Sequence, residues 1–580
     1  EMTIELDDRI LTGEVVDKAR AQRIYDEETG QGSQAGLAEQ NGYQNFVFSV
    51  GQIPPASDAT MSFVYYEPAS VDANVGRFLY PLEYGGTDDG RGFWTGETTS
   101  TGSFSFDLEL KSAAPITDVR IPGVAGVDVR ELGPNHFQLH FDAAPGTLTE
   151  DVVAYYRLEE RPCGVELVPY RAAGAASGTF MLLVTPGIEL APLEGEGTDF
   201  TFVLDYSGSM ETKIATLREA IARVLAELGP RDRFRVVAFA DAAHELTPGF
   251  LPTTPENVAL GATLVESWAI SGGTNVYAGL TLGLTEADPE RVASIFLVTD
   301  AVTNTGVIAP VEFDTLMRES DQRVFGFLMG NSANWPLMEI LTEASGGFYA
   351  PVSNRDDVLG QVLLAKNKLT HESLHDARLV LDGVEVSDTT DFDIGKVYRG
   401  QQLVVFGRYA SGGSARLGVN ARVRNQSRSY AATVAFPEIA EENAEIERLW
   451  ALEMIHATER HAMLGMLGAT EAAERVRRLG IEYQLVTDQT SMIVLDDAGF
   501  EEYGVARRNR DRTAIEDGPG TGTGTGAGTG TGTPGSSNGS ASGEYAGSSG
   551  GGALDPTSVA ILAMALAALG GARARRRGAA

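Results

Sequence analysis

A chain of 580 residues is too long for one hydrophobic core, so two to four domains are expected. Its formal charge of -35 at pH 7 repels phosphate backbones, which argues against nucleic acid and favours divalent cations and a solvated surface. The single cysteine, Cys163, excludes an intrachain disulfide and reads as a small buried apolar residue.

The opening stretch EMTIELDDRILTGEVV alternates as a strand and hairpin from its first residue. A helical KARAQRIYDEE follows, then the strand-like FVFSVGQIPP and GRFLYPLEY. From Phe93 to Thr185 the short alternating runs FSFDLEL, HFQLHF, VVAYYRL and TFMLLVTP are separated by Gly, Pro and Asp turns, the pattern of a β-sandwich. His136 and His140 share one face of a strand whose other face, Phe137, Leu139 and Phe141, is apolar. They read as a solvated face rather than a metal pair.

The stretch Asp199–Met210, DFTFVLDYSGSM, runs apolar residues into Asp205 and then turns through Ser207, Gly208 and Ser209. Ile214, Leu217, Ile221, Leu225 and Leu228 then recur at helical spacing. A buried strand that ends in an acid and two hydroxyls and opens a helix sets hard oxygen ligands at the carboxyl edge of a sheet, where open α/β folds bind ligands. Two later stretches have matching chemistry. Ser271–Asn275 is a Gly-rich loop before an apolar helix, and Ser294–Asp300 is a second buried strand ending in an acid. The strands FTFVLD, RFRVVAF, SIFLVTD, RVFGFLMG and GGFYAPV alternate with amphipathic helices, which predicts a parallel sheet covered on both faces.

Asp205, Ser207 and Ser209 form the D-x-S-x-S signature of a metal-ion-dependent adhesion site, and the segment resembles a von Willebrand factor type A domain. The resemblance implies that Thr274 and Asp300 complete the ligand set. It also places glycine after the second aspartate, where this chain has Ala301. An all-oxygen set without Cys or His suits Mg²⁺, Ca²⁺ or Mn²⁺, with water in the remaining positions and room for a partner's acidic side chain to displace one. The N-terminal GEVVDKARAQRIYDEE, FVFSVGQIPP and GRFLYPLEY resemble a vault protein inter-alpha-trypsin domain entered partway through. Its opening strands and any export signal are expected upstream, which would leave a sheet edge uncovered. VYRGQQLVVFGRY and ENAEIERLWALEMI resemble the segments that follow the A-type domain in inter-alpha-trypsin inhibitor heavy chains. The Asp-Pro-His end through which such chains are transferred to hyaluronan has no counterpart. Asp288-Pro289 and Asp555-Pro556 are followed by Glu290 and Thr557, so that transfer is not carried over.

The expected fold is a doubly wound α/β parallel sheet of the von Willebrand factor A type, flanked by β-sandwich domains. The expected units are a partial inter-alpha-trypsin domain at 1–84, a β-sandwich segment at 85–192, the A-type domain at 193–371 and a second β-sandwich segment at 372–500 with a helix at 441–479. A disordered Gly/Thr/Ser linker at 501–553 follows, then an apolar membrane helix with a basic tail at 554–580. The β segments on either side of the A-type domain are expected to form one sandwich into which that domain is inserted. The small-residue spacer, the apolar run and Arg573, Arg575, Arg576 and Arg577 resemble a bacterial GlyGly-type sorting signal, which implies export, an envelope or surface location and a processing protease.

The function this implies is cation-dependent adhesion to a protein partner that presents an acidic side chain, and not catalysis. One alternative is zinc proteolysis at His371-Glu372-Ser373-Leu374-His375, an H-E-x-x-H match at the junction of helix VLGQVLLAKNKL and strand ARLVLDGVEV. Its metzincin extension is missing, with Arg378 and Leu381 in those places. The other is a structural envelope protein whose ion only stiffens the A-type domain.

Overall fold

The computed structural model describes residues 2–516 apart from several segments, the longest being 81–103, 186–196 and 353–364. The A-type region is a sheet whose central strand, Thr198–Asp205, is buried along its whole length. It pairs in parallel with Arg233–Phe239 on one side and Val292–Thr299 on the other. The sheet continues through Arg323–Met329 to Phe348–Val352. An antiparallel edge, Ala243–Glu245, closes the other side. Alternation along the central strand divides the core. Phe200, Phe202 and Leu204 meet Leu217, Ile221 and Leu225 of helix Ile214–Ala226 on one face. Val203 meets Val276 and Leu280 of helix Val276–Gly283 on the other. The chain leaves the central strand for one neighbour and later returns to the opposite one, so the strand order reverses at the carboxyl end of Thr198–Asp205. At such a reversal the connections diverge and leave a crevice.

The flanking segments form one sandwich. Strand Gly178–Thr185, before the A-type region, pairs antiparallel with Leu403–Tyr409, after it. That sheet faces a second one ordered Asp393–Val397, Leu374–Asp382, Gly413–Val423, Gln426–Phe436. Phe180, Leu182 and Val184 fill the space between the two sheets, while Met181 and Leu183 turn outward under helix Ile446–Met463. Both faces of the strand are therefore buried, which explains why FMLLV, Phe180 to Val184, is continuously apolar.

The N-terminal sheet is six-stranded and includes Thr490–Leu495 from the far end of the fold, set between Arg9–Asp17 and Ala35–Gln40. A separate sandwich joins Val75–Tyr80 to Val152–Leu158 and faces the strands Phe104–Lys111 and His136–Ala143 across a core of Phe78, Phe106, Leu139 and Phe141. His136 and His140 pair with Glu109 at 2.7 Å and Asp107 at 2.8 Å on that sheet's polar face.

Three boundaries differ from the sequence expectation. Strand Val75–Tyr80 belongs to the second unit and not to 1–84, because its partner is Val152–Leu158. The helix drawn at 441–479 is two, Ile446–Met463 and Ala469–Tyr483, interrupted where Gly465 takes a left-handed φ of 68°. The linker drawn from 501 is ordered through Glu516. Helix Asp497–Glu502 packs beside strand Thr490–Leu495, and helix Arg508–Glu516 folds back onto strand Arg9–Asp17, where the fully buried Glu14 carboxylate accepts the N–H groups of Asn509 at 2.6 Å and Arg510 at 3.2 Å. Cys163, the Gly/Thr/Ser stretch from 517 and the apolar helix and basic tail of 554–580 lie outside the described residues. Among the described residues no helix is long and apolar enough to cross a membrane.

Candidate metal centre

Three loops meet at the strand-order reversal, and backbone hydrogen bonds tie them together. The Ser271 N–H donates to Tyr206 O at 2.9 Å and the Gly208 N–H to Gly272 O at 3.2 Å, joining the first loop to the second. The N–H groups of Asn304 and Thr305 donate to Thr274 O at 3.0 and 3.2 Å, joining the second to the third. The Gly-rich loop needs its glycines. Gly272 has φ 72°, and a Cβ there would stand 2.0 Å from the Asp241 carboxylate, which accepts the Gly273 N–H at 2.9 Å.

Asp205, Ser207, Thr274 and Asp300 are all buried, at 0–1% exposure, while Ser209 is partly exposed and opens the group to solvent. The Asp205 Oδ1 accepts the Ser207 N–H at 2.8 Å and its Oδ2 the Thr299 hydroxyl at 2.5 Å. The Ser207 and Ser209 hydroxyls lie 3.1 Å apart. The Asp300 Oδ1 accepts the Val302 N–H at 3.1 Å, and its Oδ2 lies 3.5 Å from the buried Lys213 ammonium. Burial, and then the neighbouring Asp300 carboxylate, push the Asp205 carboxyl well above the usual carboxylate range. The Thr274 hydroxyl is buried without a hydrogen-bond partner. An orphaned buried hydroxyl is costly, and it is the group a cation would satisfy. Two carboxylates with three hydroxyls form a hard-oxygen donor set that fits Mg²⁺, Ca²⁺ or Mn²⁺. Among the described residues no group of three or more His, Cys, Asp or Glu is gathered as a metal site.

Ala301, where the resemblance implies glycine, adopts φ 56° in the buried core and donates its N–H to the Thr299 hydroxyl at 2.9 Å. The turn therefore keeps the left-handed conformation despite the side chain. Sequence reasoning missed Lys213, Asp241 and Thr299, whereas Asn304, which fits the pattern after the second aspartate, accepts the Thr274 N–H at 2.8 Å. The only signal for Lys213 was its place four residues after Ser209, at the start of an apolar helix. The H-E-x-x-H match has no helix under its second histidine. His375 lies in strand Leu374–Asp382, while His371 and Glu372 lie outside the described residues.

Residues 1–65 match the vault protein inter-alpha-trypsin domain and residues 198–350 the von Willebrand factor type A domain. The chain is 23% identical over 542 residues to inter alpha-trypsin inhibitor, heavy chain 4 of Mus musculus, covering 86% of this chain and 55% of that protein. It is also 23% identical over 521 residues to a von Willebrand factor A domain-containing protein of Dictyostelium discoideum, covering 85% and 59%. Among solved structures, the ArnB paralog VWA2 of Sulfolobus acidocaldarius aligns with a TM-score of 0.33 at 14% identity, over 62% of this chain and 98% of that one. The chain spans about half the length of the curated relatives it matches. It carries matches to a vault protein inter-alpha-trypsin domain and a von Willebrand factor type A domain in that order, and over most of its length it is similar to the inter-alpha-trypsin inhibitor heavy chains.

Proposed function

We propose that the chain is a non-catalytic adhesion or protein-interaction module of the cell envelope or surface. In this reading Asp205, Ser207, Ser209, Thr274 and Asp300 hold a divalent cation, and an acidic side chain of a protein partner completes its shell. The observation that carries the reading is the buried, unpartnered Thr274 hydroxyl on a loop that is hydrogen-bonded to the two loops following the buried carboxylates Asp205 and Asp300 at the sheet's switch point. Such a group is expensive to leave unsatisfied and matches the ligand preferences of a hard cation. The envelope location rests on the sequence of residues 554–580. The zinc-protease alternative finds no support in a histidine carried on a strand.

Asp205→Ala is expected to abolish Mg²⁺, Ca²⁺ and Mn²⁺ binding by titration calorimetry and to remove chelator-sensitive capture of partners from surface extracts, with the fold retained by circular dichroism. Capture by the variant at full strength, or unchanged capture in chelator, would overturn the reading. Ion-dependent thermal stabilisation with no ion-dependent capture would instead make the ion purely structural.

A further inference from the structure

Lys213 is a charged residue that the donor set does not use. It is 3% exposed. Its backbone is fixed between the short 3-10 turn Gly208–Met210 and helix Ile214–Ala226, with its N–H donating to Met210 O at 2.9 Å and its carbonyl accepting the Leu217 N–H at 3.0 Å. Its ammonium reaches the Asp300 Oδ2 at 3.5 Å, inside the protein and beside a proposed ligand. A buried charge is tolerated when it is paired. Before any ion enters, Lys213 supplies that pairing for one of the two buried carboxylates.

The charge balance changes when a divalent cation arrives. In the ionised form that binds a cation, two carboxylates and one ammonium carry a single net negative charge, and adding a divalent ion turns this into a single positive charge. In a buried setting such an excess is unfavourable until an anion neutralises it. An acidic ligand does so, and an amide or hydroxyl ligand does not. Without the lysine, two carboxylates and the ion would already be neutral, and the site would hold its ion with no anion from outside.

We propose that Lys213 is the residue that makes cation and acidic-ligand binding interdependent: its buried ammonium weakens binding of the ion alone and selects a carboxylate as the completing ligand. This rests on the cation site proposed above. Because such coupling is reciprocal, the acidic ligand must raise the ion's affinity by the same factor by which the ion raises the ligand's.

The test uses the full chain and titration calorimetry with Mn²⁺, alone and with a short glutamate-bearing peptide or its glutamine counterpart. For the unsubstituted chain the glutamate peptide is expected to tighten Mn²⁺ binding by about 5-fold or more, and the glutamine peptide to leave it unchanged. Lys213→Met is expected to bind Mn²⁺ alone about 10-fold more tightly and to lose the peptide's effect. Lys213→Gln, which keeps a hydrogen-bond donor for Asp300, makes the same measurement should the methionine variant not fold. Equal or weaker Mn²⁺ binding by a folded variant, or a peptide effect that survives the substitution, would overturn the inference while leaving the cation site intact. Mn²⁺ binding that Asp205→Ala does not abolish would overturn the site itself, and this inference with it.

Discussion

Thr274 shows how a single side chain can report on the centre. Its hydroxyl has no partner, and a buried hydroxyl in that state costs about 1–3 kcal/mol. Valine has nearly the same shape without that penalty. Thr274→Val in chelator should melt at the same temperature as the unsubstituted chain or higher. It should also lose most of the increase in melting temperature that Mg²⁺ or Ca²⁺ confers, as read by calorimetry with and without ion. A large loss of stability in chelator would instead mean that the hydroxyl has a structural partner. At this scale the sequence was informative where residue type and chain position coincide with chemistry, as for the acid that ends a strand at Asp205 or Asp300. It was silent on Thr299 and Asp241. Their roles arise from contacts across the sheet and between loops, to Asp205 and to Gly273, which no local pattern encodes.

At the scale of elements, the A-type region is docked through helix Trp335–Ser345. The helix begins at Asn334, whose N–H donates to Asp300 O at 2.8 Å and whose side chain caps it by accepting the Leu337 N–H at 3.1 Å. Its outer face meets helix Ile446–Met463 of the sandwich. Trp335 lies against His456 with ring centroids 4.6 Å apart, and Arg460 pairs with Glu339 at 2.5 Å and Glu343 at 3.6 Å. Burial, and then the Glu339 charge, push the Glu453 carboxyl up to about 7, while burial, and then Arg460, push the His456 imidazole down to about 4.

The two groups act on stability with opposite signs. A carboxyl raised in the folded state holds its proton more tightly there, so the stability it contributes is present at low pH and is lost as pH rises from the ordinary glutamate value through about 7. A depressed histidine contributes instability at low pH that is relieved as pH rises from about 4 to the ordinary imidazole value. At this contact the two effects oppose one another, and Glu453→Gln should leave the histidine's unopposed. Its melting temperature relative to the unsubstituted chain should climb steadily between pH 4.5 and pH 7, as measured by calorimetry across that range. A difference that stays flat with pH would mean that Glu453 does not titrate in this window.

For the whole molecule the decisive feature is that the chain closes on itself. Strand Thr490–Leu495 sits inside the N-terminal sheet, and helix Arg508–Glu516 sets its first N–H groups on the buried Glu14. A chain ending at Thr487 would leave strands Arg9–Asp17 and Ala35–Gln40 without the partner between them. In that truncated chain, amide protons of these two strands should exchange far faster by hydrogen-exchange mass spectrometry. Those of Thr198–Asp205, in an independently buried sheet, should keep their protection. Unchanged protection in both sheets would show that the terminal strand is dispensable.

The sequence alone determined the A-type sheet and its alternating helices, and it supplied the five oxygen-bearing residues proposed as ligands. These depend on local periodicity and on which residue ends which strand, information carried within a few residues. One sandwich with an inserted domain was an expectation that composition alone does not establish; the pairing of Gly178–Thr185 with Leu403–Tyr409 is a tertiary fact. The tertiary structure decided which strands pair across 200 residues or more, that Val75–Tyr80 leaves the first unit for the second, and that residues 501–516 are ordered. It also set the buried Lys213 beside Asp300. Each of these depends on surfaces that exist only after folding, where a carboxylate such as Glu14 or Asp300 finds its compensating charge or N–H group on an element remote in the chain.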